Sequence, residues 1–330
     1  MLPIAMVTGA SIYLIYHVMP EPVHRAGPFL NGVIGALQPF LIFVMLFLTF
    51  CRIEPKELKP HRWHWWLLLV QGGLFVLLGA AAWMIQRWNP DGAQGGTVLI
   101  ESAMLCLICP TATAAAVVTR KLEGDVPGIT TYFVLINLLA ALLVPAVVPV
   151  IRPSADTDFW TAFSTILAKV FPLLITPCLC AWLVRYMAPK LHRWLLGFPD
   201  LPFYIWSVAL ALAIAVTTKS VVHSTLSVGL LALMSLVSLV CCAFQFAVGR
   251  CIGGGYRPRR ADVSPEVMRR GKESRKVTAG QSLGQKNTVF AIWMGYTFMT
   301  PETAIIGGLY SIWHNIYNSW QLYRAGKEKL

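Results

Sequence analysis

Charge is what this sequence has little of. Asp, Glu, Lys and Arg make up 13% of its 330 residues, against 56% hydrophobic. Soluble domains carry roughly 25% charge, so too little polar surface remains for a soluble fold of this length. Acid is scarcer than base, with 15 Asp and Glu against 27 Lys and Arg and a formal net charge of +12. No basic residue precedes the first apolar stretch and no small-residue cleavage site follows it. The N-terminus is therefore expected to be a short membrane span and not a cleaved signal peptide. H-E-x-x-H, Walker and dinucleotide-binding patterns are missing, which argues against zinc proteolysis and ATP-driven transport. Cys106 and Cys109 form a C-x-x-C, but no second Cys or His pair stands at metal spacing. Cys106, Cys109, Cys178, Cys180, Cys241 and Cys242 sit in apolar segments and are expected to pack as small apolar thiols. No cofactor is expected.

What the sequence has instead is length of apolar run. Pro28 to Cys51 passes twenty-four residues without a charge, and a hydrocarbon core about 30 Å thick needs about 20 apolar residues as helix. The runs are apolar on every face, which favours helices over barrel strands. Ten spans are predicted: 4–19, 28–51, 63–86, 96–119, 128–151, 162–184, 201–218, 225–250, 277–298 and 301–322. With the N-terminus inside, 21 of the basic residues fall in cytoplasmic loops and only Arg25, Arg87, Arg152 and Lys219 fall outside. That asymmetry predicts a multi-pass protein of the cytoplasmic (inner) membrane with both termini cytoplasmic. The lipid bilayer is the expected partner; nucleic acid is not. Residues 1–330 read as one transmembrane transporter domain, with 251–276 as a basic cytoplasmic loop. Five spans plus five give two halves, 1–151 and 152–330, of opposite topology, the arrangement of inverted-repeat transporters.

Each half carries one interrupted span. Cys109-Pro110 breaks the fourth, because Pro lacks the backbone donor and clashes with the preceding turn. Gly280 and Gly284 lie among unusually polar residues in the ninth. A matched pair of interrupted helices points to a substrate site.

Three segments carry a resemblance. Cys109-Pro110-Thr111-Ala112-Thr113-Ala114-Ala115-Ala116, followed after seven residues by Gly124-Asp125, has the spacing of C-P-G-G-T-x-S-N with its closing G-D. Gln281-Ser282-Leu283-Gly284-Gln285-Lys286 stands against E-x-G-x-Q-N. Ser311-Ile312-Trp313-His314-Asn315-Ile316 looks like S-V-W-H-N-I. On these the chain resembles the bile acid:sodium symporter family, in a bacterial form. The resemblance implies an all-α membrane fold of ten helices, with panel and core domains and the broken fourth and ninth helices crossing. It also implies sodium-coupled transport of organic anions.

The departures fall on the sodium site. The family's Ser-Asn pair is Ala115-Ala116, its Glu is Gln281, its Gly is Leu283, and the Asn after Gln285 is Lys286. Phe133 and Asn137 stand where the resemblance puts hydroxyls in the fifth span, and Gln71 matches a family glutamine. An ammonium about 4 Å from a sodium ion at an effective dielectric near 20 repels it by about 4 kcal/mol, roughly three orders of magnitude in affinity. Sodium binding is disfavoured, and Lys286 is expected to take the cation's place. A lysine at mid-membrane costs about 2.5 to 3.5 kcal/mol and marks a functional position.

The expected substrate-site residues are Gln71, Thr111, Thr113, Ala116, Gln281, Gln285, Lys286, Asn287, His314 and Asn315. Glu101 and Glu302 are expected at the outer interface, with an ion pair to Lys286 as the other reading, and Lys169 is read either as interfacial, if its span begins late, or as lying within that span. Two other coupling schemes, sodium or proton symport of bile-acid-like anions, share these residues. Different classes remain open: an intramembrane serine hydrolase built on Ser282 in G-x-S-x-G, or a membrane sensor or channel. The hydrolase elbow needs a strand before its serine, whereas here a basic segment leads straight into a helix. Gly280 and Gly284 have the spacing that lets membrane helices approach. The sequence leaves the substrate and the oligomeric state open.

Overall fold

A computed structural model describes residues 2–20, 27–88, 94–153, 157–198, 201–255 and 265–327. Among these residues fourteen α-helices form and no strand beyond a single bridge. They are α1 (Leu2–Val18), α2 (Gly27–Cys51), α3 (Arg62–Trp88), α4 (Gln94–Ile108), α5 (Ala114–Lys121), α6 (Val126–Ile151), α7 (Phe159–Leu174), α8 (Thr176–Met187), α9 (Pro189–Leu196), α10 (Leu201–Val222), α11 (Val228–Gly255), α12 (Pro265–Gly284), α13 (Thr288–Phe298) and α14 (Pro301–Lys327). By length and composition, six are apolar enough to cross a membrane: α2, α3, α6, the α7–α8 pair, α10 and α11. Shorter apolar helices occupy Ile4–Val18, Gly95–Ile108 and Thr288–Phe298. Every expected span overlaps a helix or a broken pair of helices.

Three local outcomes differ from the sequence reading. The sixth span is not continuous: α7 ends at Leu174 and α8 starts at Thr176, with Pro172 and Pro177 flanking the joint. Prolines remove helix donors, and neighbouring helices make that tolerable at membrane depth. The basic stretch 251–276 is helical at both ends, since α11 runs to Gly255 and α12 begins at Pro265. Arg270 with Glu266 and Lys276 with Glu273 supply helical-spacing ion pairs there, each worth a few tenths of a kcal/mol. Arg25, Asp91, Arg257 to Arg260 and Lys329 lie outside the described residues. A further helix, α9, forms between the sixth and seventh spans, and His192 on it donates to the Cys51 carbonyl at 2.8 Å. Arg185 of α8 donates to the carbonyls of Cys51 and Ile53, so a guanidinium and the His192 imidazole close the C-terminal end of α2, where the helix dipole favours a cation.

The helices pack as two groups. One contains α1, α2, α7, α8, α9 and α10, and the other α3, α4, α5, α6, α11, α12, α13 and α14. They meet where α10 and α2 lie against α13 and α14, and where α6 runs into α7. Inside the second group α11 lies tightly on α12. A Cβ on Gly249 or Gly253 would collide with the carbonyl of Ala279 or Arg275, and one on Gly284 with the Phe246 ring. Small residues that let backbones approach are how membrane helices associate. Gly280 and Gly284 therefore serve packing, which accounts for the G-x-S-x-G spacing.

Candidate functional site at the helix breaks

The breaks between α4 and α5 and between α12 and α13 meet. The Ala112 N–H donates to the Gln285 carbonyl and the Asn287 N–H to the Pro110 carbonyl, each at 2.8 Å. Thr111 and Lys286 face one another as an isolated antiparallel bridge. The Thr111 hydroxyl donates to the Ser282 carbonyl at 2.7 Å. Two unwound segments thus exchange hydrogen bonds in the middle of an apolar protein.

A helix leaves its last carbonyls without internal partners, and each one unpaired in an apolar medium costs several kcal/mol. At the end of α4 they are taken in turn. The Cys106 carbonyl accepts from Gln245 Nε2 at 3.2 Å, and the Leu107 carbonyl from Lys286 Nζ at 3.2 Å. The carbonyls of Ile108 and Cys109 accept from Gln71 Nε2 at 3.3 and 3.0 Å. Tyr132 fixes that amide by donating to Gln71 Oε1 at 2.7 Å. At the end of α12 the Gly284 carbonyl accepts from the Tyr310 hydroxyl at 2.8 Å. Asn287 caps α13 by accepting from the Phe290 N–H.

Lys286 is 1% exposed, and among the described residues no carboxylate lies within ion-pair reach of it. Its ammonium sits at the C-terminal end of a half-helix, where a cation meets the negative end of the dipole. A cavity of about 10 Å³ lies beside it, lined by Cys106, Cys109, Thr288 and Tyr310 among others. That is the lower limit for a single water and far too small for an organic anion. Ala115 is buried and Ala116 half-buried, and neither side chain has an oxygen. Gln281 Nε2 donates to Asn318 Oδ1 at 2.9 Å and to Gln321 Oε1 at 2.7 Å.

Other expected residues are not drawn into this pairing. Asn137 donates to the Phe133 carbonyl one turn back, and Asn315 to the Ser311 carbonyl. Thr113 is half-buried at the start of α5 and makes no cap. His314 is buried, with its ring edge-on to Tyr310 at 5.6 Å. Gln281 Oε1, Gln285 Oε1, Asn287 Nδ2, Asn137 Oδ1 and His314 Nδ1 are buried without a hydrogen-bond partner, a condition uncommon enough in folded proteins to need a cause. Glu101 departs from the interfacial reading: it is fully buried and pairs with Arg152, not Lys286. Lys169 places its ammonium 5.7 Å from the centre of the Phe298 ring. Gln245, Tyr132 and Tyr310 were not singled out in the sequence. A lone amide inside the apolar run of α11 was the legible signal for Gln245.

A family model described as SBF-like CPA transporter family matches residues 4–325. The chain belongs to the SBF-like CPA transporter family. No curated protein matches it. At the family level this agrees with the likeness to bile acid:sodium symporters carried by the three motifs. Membership of a transporter family, in a chain with six membrane-capable helices, points to a membrane-embedded secondary transporter and away from an enzyme. Of the three segments that carry that likeness, the first two fall on the paired breaks and the third on α14, which supplies Tyr310 to them.

Proposed function

We propose that this protein carries a small organic anion across the membrane by alternating access, without sodium, and that the Lys286 ammonium stands in for the family's cation. The observation that carries this reading is the hydrogen bond from Lys286 Nζ to the Leu107 carbonyl. In inverted-repeat transporters, half-helix C-terminal ends and unwound carbonyls coordinate sodium or protons, and here a side-chain cation occupies such an end. Ala115 and Ala116 offer no oxygen for a metal ion, and the Gln281 amide is committed to Asn318 and Gln321.

The chain is proposed to span the cytoplasmic membrane ten times as two inverted five-helix repeats, with both termini inside. The two packing groups serve as panel and core. Thr113, Ala116 and Asn315, being half-buried, are the proposed substrate-facing members. Gln285, Asn287 and His314 hold polar atoms without partners that a bound anion or its water can engage, while Gln71 and Thr111 hold the crossing in shape. The test is flux of a panel of labelled carboxylates and sulfonates into proteoliposomes, in choline against sodium buffer and with or without a pH gradient. Flux equal in choline and sodium, and reduced about tenfold or more in Lys286→Asn, is expected. A strict sodium requirement that survives Lys286→Asn overturns the reading.

A further inference from the structure

A second cavity, of about 1100 Å³, opens at the far end of the same helix group. Its walls come from the end of α5 with the two residues after it, and from α11, α12 and α14. Lys121, Arg250, Arg270 and Arg324 line it, against two carboxylates, Glu123 and Glu273. Glu273 is engaged by Lys276 at 2.6 Å and Arg270 by Glu266 at 2.9 Å, and Lys121, Arg250 and Arg324 against Glu123 leave the wall positive. Its size suits a substantial ligand, since pockets for small molecules run about 300 to 1,000 Å³. The cavity does not continue to the helix crossing. Gln321 on its wall accepts from Gln281, and the hydrogen-bonded amides of Gln281, Asn318 and Gln321 close the way. A carrier working by alternating access needs its substrate between the two packing groups, and this cavity lies within one of them.

The rim is amphipathic. Val267 and Trp320 are each about half exposed there, as is Met268 next to Val267, and Arg324 lies over the Trp320 ring at 5.2 Å. The first turns of α12 add Arg269, Lys272 and Arg275 on the same helix as Val267 and Met268. Clustered Lys and Arg at the level of a bilayer surface attract anionic headgroups. Guanidinium forks match the oxygens of a phosphate, and the one on Arg270 is held only by Glu266 in an exposed i,i+4 pair that a headgroup can replace.

We infer that this cavity binds the phosphate headgroup of an anionic phospholipid, with the acyl chains leaving past Val267 and Trp320. The inference rests on the proposed membrane placement, which puts this end of the helices at the cytoplasmic leaflet. It does not rest on the coupling mechanism.

Native mass spectrometry of the full-length protein in detergent tests it, with phosphatidylglycerol and phosphatidylcholine supplied in equal amounts. Glycerol phosphate forms the soluble arm. Phosphatidylglycerol should be retained in preference. Arg270→Gln with Arg324→Gln should lower that preference by roughly fivefold for each charge removed. Lys121→Gln with Arg270→Gln should do the same, which covers the case where the first pair does not fold. Lys56→Gln with Lys59→Gln, a basic pair outside the cavity, should change nothing. Equal loss in that control means diffuse charge and overturns the site. So does glycerol phosphate displacing the lipid at equal concentration, which makes it a site for soluble phosphates. A protein that carries an anion in pure phosphatidylcholine yet retains no phosphatidylglycerol refutes this inference and leaves the transport reading standing. One that retains the lipid and carries nothing does the reverse.

Discussion

Lys286 Nζ and the Leu107 carbonyl oxygen lie 3.2 Å apart, on opposite sides of the helix crossing. The bond joins the break of one half of the chain to the last turn before the break of the other. Two terms of opposite sign meet there. Burying an ammonium at membrane depth costs about 2.5 to 3.5 kcal/mol, and an orphaned buried carbonyl costs about 1 to 3 kcal/mol.

Replacing the lysine by methionine removes the first cost and incurs the second. Lys286→Met should therefore leave the thermal midpoint in detergent unchanged or raise it, while organic-anion flux falls about tenfold or more. A residue retained against stability is one retained for function. If the variant unfolds well below the wild type, the lysine is a structural member and the functional reading of the bond fails.

Gln71 gives the opposite signature. Its side chain is engaged at both ends, donating to the carbonyls of Ile108 and Cys109 and accepting from Tyr132. Gln71→Leu strands all three groups in an apolar interior, at about 3 to 9 kcal/mol in total. Tyr132→Phe removes one donor and should cost about 1 kcal/mol. Because the two residues share a bond, the double variant should lose less than the sum of the singles. Thermal melts of the four proteins measure this. Strict additivity, or a Gln71→Leu variant as stable as the wild type, contradicts the role assigned to the amide.

The fold class was legible because long charge-free runs and a scarcity of acid leave few other solutions. The breaks were legible for a similar reason: Cys109-Pro110 interrupts an apolar run, and Gln281 to Asn287 is too polar to be simply a lipid-facing helix. What the sequence could not supply was the partner of each polar group. Glu101 read as interfacial because it lies near an expected span end, yet Arg152, fifty-one residues on, covers it. Gln71 was singled out only through the resemblance, and nothing local showed that it closes another helix. Such pairings span long sequence separations, and period and propensity report only on neighbours. The helical start of α12 was hidden for a different reason, since dense basic charge reads as loop unless the interleaved Glu266 and Glu273 are placed at helical spacing.

Ser282 has the neighbours of a hydrolase nucleophile in sequence only. Its side chain is fully buried and its hydroxyl makes no hydrogen bond. Activating a serine needs a base within hydrogen-bond reach and an exposed oxygen. Incubation of the folded protein with a fluorophosphonate should leave Ser282 unmodified, as read by intact mass. Stoichiometric labelling abolished by Ser282→Ala is the result that revives the hydrolase class.

Glu101 and Arg152 make an asymmetric pair. The carboxylate is fully buried, while the Arg152 side chain is 35% exposed. Two arginine nitrogens approach the two carboxylate oxygens at 2.7 Å, and the Thr303 hydroxyl donates at 3.2 Å. The group ties α4 and the end of α6 to the first turn of α14, and so steadies the half-helix that ends at the crossing. Removing the arginine strands a buried charge, which costs about 3 kcal/mol, at the low end of buried pairs because its partner is partly solvated. Removing the carboxylate leaves a cation that water can reach, for a cost under about 1 kcal/mol. Arg152→Gln should therefore melt several degrees below Glu101→Gln, and adding Glu101→Gln to it should restore most of the loss. Equal melting of the two single variants, or no recovery in the double, shows that Glu101 is not held by Arg152 in the folded protein.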